Sequence, residues 1–178
     1  MTPTIRTERL LLRPFVESDA DAVLDLLGRE EIVRWGGPPE PFTRREQAVE
    51  WIATRPARAG EMPGAGIFAI VPDGFDHAMG LAILAPLKPS AGNTRHVHEI
   101  GWHVHPDVWR RGYAFEAATA MVRRAVEAGL DEVWAVTKPG NEPSQGVCRK
   151  LGMTHLGLTD DWYDQTCETY RLTLAPGT

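Results

Sequence analysis

The sequence predicts an α/β (α+β) fold, a mixed and mostly antiparallel central sheet with helices on both faces. Apolar residues switch between strand and helix periods in the order β-α-α-β-β-β-α-β-α-β-β. Several consecutive strands precede a βαβ-like passage, which implies a mixed sheet with helices on both faces. The 178 residues fit a single domain, 1–178, and a chain of this length buries roughly 70% of its unfolded surface without a disulfide or metal staple.

Each element has a local reason. Residues 5–13 (IRTERLLLR) read as an opening strand. Ser18 followed by Asp21 resembles a capping box, opening a short helix with Ala22, Val23, Leu26 and Leu27 on one face. Pro38, Pro39 and Pro41 bar residues 34–42 from helix or central strand, because proline lacks the donor. Thr43 with Glu46 forms a second box, and its helix carries Ala48, Val49 and Ile52 and stops before Pro56. Strands follow at 66–71, 79–87 and 95–104. Phe115, Ala118, Met121, Val122 and Ala125 give a helix over 113–128, which Gly129 ends. A strand at 132–137, a helix at 144–151 and strands at 153–158 and 166–174 complete the chain.

Composition excludes several classes. Lys plus Arg is 19 against 24 Asp plus Glu, the wrong sign for binding phosphate backbones, so nucleic acid is not an expected partner. Cys148 and Cys167 form no disulfide framework and have no metal spacing. The charged N-terminus (Arg6, Glu8, Arg9, Arg13) does not read as a signal peptide, and no apolar run approaches a membrane span. The expectation is a cytoplasmic protein with no membrane partner. His96, His98, His103 and His105 invite a zinc reading, but strand alternation puts the first two on one face and the last two on the other, so no metal is expected.

The segment His98 to Ala118, HEIGWHVHPDVWRRGYAFEAA, runs strand, turn, helix. Pro106 ends the strand and Gly112 sits where the helix begins. Such a helix start exposes unpaired N–H groups and the positive dipole end, which bind phosphate. Arg110 and Arg111 flank it and add charge-assisted bonds. Neither GxGxxG nor GxxxxGK[ST] is present. On the strand, Glu99 shares a face with Gly101, His103 and His105, opposite Ile100, Trp102 and Val104.

A second segment, NEPSQGVCRKLGM (141–153), joins the first. Together they resemble the GNAT N-acetyltransferases, closest to the branch that acetylates ribosomal-protein N-termini (RimJ/RimL-like). The family's pyrophosphate loop, (Q/R)xxGx(G/A), falls on Trp109-Arg110-Arg111-Gly112-Tyr113-Ala114. Its later pattern falls on Asn141, Ser144, Val147, Lys150, Leu151, Gly152 and Met153, and TERLLLRPFVESDADAV and EIGW are typical of the branch. The chain departs from the pattern at Trp109, at Arg110 where the branch often has Gly, and at Cys148 where many members place a tyrosine general acid.

The resemblance implies a GNAT fold and acetyl-CoA as co-substrate, with its pyrophosphate on the amides of Arg110 to Ala114. The pantetheine arm would lie against backbone near His103 and Val104, with an N–H near Val104 as oxyanion donor. Asn141 would orient the cofactor, and Ser144 or Cys148 would meet the departing thiolate. The acceptor, a primary amine of a protein N-terminus or small molecule, would meet Trp35, Trp102, Asp161 and Trp162, with Asp160 and Asp164 adding negative charge. At pH 7, deprotonating a lysine costs roughly 4.6 kcal/mol and an α-amine about 1, so a base matters more for lysine, and Glu99 is the candidate general base, acting through a water. Alternatives on this scaffold are another donor such as succinyl-CoA, which needs a cation from His103, His105 or Arg95, and a catalytically silent acyl-CoA-binding regulatory module. A homodimer is compatible with the sequence.

Overall fold

The structure, a computed structural model, describes residues 4–174. Eight strands, β1 (Ile5–Arg6), β2 (Leu10–Pro14), β3 (Gly66–Pro72), β4 (Gly80–Pro86), β5 (His98–Val104), β6 (Glu132–Thr137), β7 (Thr154–Trp162) and β8 (Gln165–Thr173), form one sheet. Its order is β1-β2-β3-β4-β5-β6-β8-β7, antiparallel except between β5 and β6. The helices are α1 (Ala20–Leu27), α2 (Glu30–Val33), α3 (Arg45–Thr54), α4 (Tyr113–Glu127) and α5 (Glu142–Lys150). This is the α+β architecture that the sequence predicts, with helices on both faces.

Strand alternation divides the core. Phe68 and Ile70 of β3 join Leu10, Leu12, Ile100, Val133 and the buried face of α4 (Ala117, Met121, Ala125). Ile67, with Leu81, meets Ala20, Val23, Leu26 and Leu27 of α1 and Ala48 and Ile52 of α3 on the other face. Fully burying one such aliphatic side chain stabilises by about 1.5–3 kcal/mol, so these faces fix the register. Gly129 takes φ 78° and the Leu130 N–H reaches the Ala125 carbonyl, which stops α4 where expected.

Several boundaries move for identifiable reasons. The opening strand breaks into β1 and β2 because Thr7 turns the chain: its N–H donates to the Leu10 carbonyl, and its hydroxyl oxygen accepts from the Leu10 N–H. Glu116 of α4 then accepts from the Thr7 hydroxyl and the Arg9 N–H. The first cap is Asp19, not Ser18 with Asp21: its carboxylate accepts from the Val16 N–H at 2.9 Å and from Arg13 at 2.7 and 2.8 Å. The second is Gln47, whose Oε1 accepts from the N–H groups of Thr43 and Arg44 at 2.9 and 3.0 Å, so Thr43 and Glu46 form no box. Short α2 has no expected counterpart. Helix α5 starts at Glu142, two residues early, because Asn141 caps it and Pro143 suits a first turn.

Two features position the site. Among the described residues, β5 and β6 meet at one register position, Glu99↔Trp134, and are unpaired beyond it. That leaves a wedge between their C-terminal halves. The β7–β8 hairpin closes through Tyr163 and Asp164 at φ 58° and 54°, a turn of type I′ form between paired Trp162 and Gln165. Its tip is tied to the segment after β4. The Tyr163 N–H donates to the Lys88 carbonyl, Ser90 N–H to the Asp161 carbonyl, Asp164 N–H to the Ser90 hydroxyl and Ala91 N–H to Asp164 Oδ1. The hairpin tip is thereby a strap over the sheet.

Candidate active site

Chain direction and hydrogen-bond parity define a cradle and a row of donors. Gly112 caps α4 at φ 82°, and Arg110 stands at φ 61°. The first helical bond is Glu116 N–H to the Gly112 carbonyl. Among the described residues the amides of Arg110 to Phe115 have no hydrogen-bond acceptor, and Arg110, Arg111 and Gly112 are exposed. A run of free amides at a helix N-terminus suits an anion. A Cβ at Gly112 would lie 3.3 Å from the Arg9 guanidinium, whose Nη1 donates to the Arg111 carbonyl at 2.9 Å. The departure at Arg110 has a backbone meaning: the position is left-handed, which glycine adopts freely and arginine does not.

On β5, the His105 N–H donates to the Met79 carbonyl at 2.8 Å. Antiparallel pairs alternate, so His103, Gly101 and Glu99 also spend their backbone groups on β4. The groups of Ile100, Trp102 and Val104 point toward β6. The bridge at Trp134 uses the Ile100 N–H, and the Trp109 indole N–H donates to the Val104 carbonyl at 2.6 Å. The N–H groups of Trp102 and Val104 remain as donors facing the wedge. This corrects two expectations. The backbone of His103 faces β4 and is not free for a cofactor arm. The side chain of Trp102 packs with the α4-side core, opposite Glu99, so it does not line an acceptor site.

On the other face, Glu99 is 5% exposed and sits at the narrow end of the wedge. Tyr163 donates its hydroxyl to Glu99 Oε1, and Arg58 Nη2 donates to the same oxygen and to the Tyr163 hydroxyl, each at 3.1 Å. Burial pushes the Glu99 carboxyl up to about 7, against the opposing pull of Tyr163 and Arg58. Burial pushes His103 down to about 4, so it is neutral at pH 7. Gly36 lies against the His103 ring, where a Cβ would be 3.2 Å from Cε1. The loop is held there by Lys138, whose Nζ donates to the Arg34 carbonyl at 2.9 Å, and Trp35 next to it is half-buried under Arg34.

Other sequence-derived candidates fall elsewhere. Cys148 is fully buried in the main core, and burial pushes its thiol up to about 12, so it packs as a small apolar group. Trp162 is fully buried between Leu87 and Trp134 and has no free face for an acceptor. Asp161 is exposed, and its carbonyl serves the strap. Asp160 accepts from the Thr166 hydroxyl at 2.5 Å and Asp164 from Ala91, so the acidic cluster is spent mostly on the hairpin. Asn141 Oδ1 caps α5 by accepting from the Ser144 N–H at 3.4 Å, leaving its Nδ2 for another partner. Ser144 is half-buried in the first turn of α5.

Arg58 and Tyr163 are the residues that sequence reasoning missed. Arg58 comes from a turn 41 residues before Glu99 with no periodicity to mark it. Tyr163 had one available signal, a tyrosine in a two-residue hairpin turn where Asn or Gly is usual.

Comparison with known proteins bears on the fold and the family. A family model described as "Acetyltransferase (GNAT) domain" matches residues 9–154. The uncharacterised N-acetyltransferase YoaA of Bacillus subtilis is 28% identical over 172 residues, covering 96% of this chain and 93% of that protein. An FsC-acetyl coenzyme A-N(2)-transacetylase of Aspergillus fumigatus is 32% identical over 169 residues, 91% of this chain and 69% of the relative. The ribosomal L7/L12 alpha-N-protein acetyltransferase RimL, solved with coenzyme A, superposes with a TM-score of 0.77, covering 97% and 98% of the two chains. At 15% identity that last likeness speaks for the fold alone. With the family model spanning most of its length, the chain belongs to the GNAT family and is an N-acetyltransferase of the RimJ/RimL type.

Proposed function

We propose that the protein, as one catalytic domain, transfers an acetyl group from acetyl-CoA to a primary amine by direct attack in a ternary complex. The observation that carries this reading is a buried carboxyl, Glu99, held near neutral pKa at the end of a wedge whose other end opens into the amide cradle. GNAT enzymes use acetyl-CoA. Here the residues fit it: the amides of Arg110 to Ala114, with Arg110 and Arg111, would hold the pyrophosphate. Asn141 Nδ2 is free to orient the donor. When bound, the donor supplies an activated thioester carbon, and Ser144 is the residue nearest in role to meet the departing thiolate.

Strand geometry reassigns the oxyanion donor. Val104 lies five residues from Glu99, about 16 Å along the strand, too far for one reaction centre to use both. Trp102, about 10 Å from Glu99 by the same rise, offers the nearer N–H. Val104 N–H then holds the cofactor arm, and Trp102 N–H faces the developing negative charge, a contact worth typically about 2.7–4 kcal/mol. Glu99 takes the amine's proton directly or through one water.

A base near pKa 7 suits an α-amine near 8, whereas a lysine near 10.4 leaves proton transfer uphill by about 4.6 kcal/mol. We therefore favour an α-amino acceptor, in a protein N-terminus or a small molecule. The Aspergillus relative is named for transacetylation at an N(2) position. Succinyl-CoA is disfavoured because Arg58 is paired with Glu99, His103 is neutral, His105 is engaged by Asp25, and Arg95 lies over Trp134. The deciding test is a peptide with a free N-terminus and one internal lysine, incubated with acetyl-CoA and read by mass spectrometry. N-terminal product should exceed lysine product by at least 100-fold; equal amounts would sink the acceptor assignment.

A further inference from the structure

The two oxygens of the Glu99 carboxylate are not equivalent. Both hydrogen bonds, from the Tyr163 hydroxyl and Arg58 Nη2, converge on Oε1. Oε2 makes no hydrogen bond to any described residue and is not sealed, since it keeps part of the side chain's 6% exposure. The phenol arrives from a turn whose first residue is left-handed at φ 58°, a conformation that costs a tyrosine about 1–2 kcal/mol. That turn is tied to residues 88–91 on both sides of the tip. Strain maintained by surrounding bonds, and aimed at a buried carboxylate, points to a positional purpose.

We propose that Tyr163 and Arg58 are positioning residues, a clamp that fixes Oε1 and leaves Oε2 as the atom that takes the acceptor's proton. The inference rests on the transferase reading above. In the step, Oε2 gains the proton lost by the ammonium. The neutral amine's lone pair then forms the bond to the acyl carbon, the C–S bond breaks with its electron pair leaving on sulfur, and the second nitrogen proton passes to that sulfur, so the products are the amide, the free thiol and protonated Glu99. The charged and titratable groups around Glu99 are Arg58 from the 56–59 turn, Tyr163 from the hairpin tip, Cys167 from β8 and His103 from its own strand. Of these, Tyr163 and Arg58 bond to the carboxylate and favour its charged form.

The test titrates the Glu99 δ-carbon by NMR in 13C-glutamate-labelled protein, for wild type, Tyr163→Phe and Arg58→Gln, beside the pH profile of kcat/KM. The clamp predicts that each variant moves the Glu99 titration upward by about one pH unit. The acid limb of kcat/KM should move with it, giving about tenfold lower kcat/KM at pH 6 and an unchanged KM for acetyl-CoA. A Glu99 titration unmoved in both variants overturns the clamp, whatever the activity. If the titration moves while wild type transfers no acetyl group to any amine, the clamp stands and the transferase reading falls.

Discussion

Glu99 is a carboxylic acid that folding makes weaker, and this has consequences for both activity and stability. Its carboxyl rises from an ordinary 4.5 to about 7 through burial. Between those values the folded chain binds more protons than the unfolded one, so stability falls as pH rises through that window, by about 3 kcal/mol in total. Glu99→Gln removes the titration. Relative to wild type, the variant should gain about that much stability between pH 4.5 and 8, measured by urea unfolding at both pH values. The same variant should lose at least 100-fold in kcat while binding acetyl-CoA as wild type does. Arg110→Gly is the converse case. Relieving a left-handed arginine should stabilise the fold by about 1 kcal/mol, read from the urea midpoint. Removing the cation should weaken CoA binding, read by calorimetry. Alternation along one strand made the face of Glu99 legible in the sequence, because residue parity needs no tertiary knowledge. Arg58 and Tyr163 were not legible, since their meeting depends on a turn and a hairpin tip folding onto the same strand.

At the scale of elements, the proposed function assigns the positioning to the N-terminus of α4 and the wedge beside β5. Gly112→Asp places a side chain and a negative charge in a left-handed cap at the cradle. The expected outcome is a loss of about 1 kcal/mol in stability and more than 100-fold in CoA affinity, followed by thermal melts and calorimetry. Unchanged affinity would remove the cradle from the cofactor site. Apolar periodicity located α1, α3, α4 and the middle strands, because each buries one face. Capping was harder to read. Asp19 and Gln47 cap through carboxylate and amide oxygens one residue from the expected Ser18 and Glu46, a choice set by Arg13 in one case and by chain entry in the other. The strap was out of reach for the same reason as Tyr163. Trp162 looks in sequence like an exposed aromatic in an acidic turn, yet the ties to Ser90 and Ala91 hold the turn down and bury it.

For the molecule as a whole, the net charge of −5 and the local arginines act at different ranges. The global sign disfavours nucleic acid, while Arg110 and Arg111 flank the proposed anion site, whose binding salt should weaken. Fold and family follow from the ordered motifs and the strand pattern together; the reaction centre follows only once β5 and β6 separate. The measurement that tests the central claim most directly is thiol release from acetyl-CoA against a panel of N-terminal peptides and small amines, for wild type and Glu99→Gln, with CoA affinity measured alongside. The account predicts amine-dependent release by wild type, strongest with α-amines, and at least 100-fold slower release by the variant at equal CoA affinity. CoA binding without amine-dependent release, or equal rates for the two proteins, would contradict it.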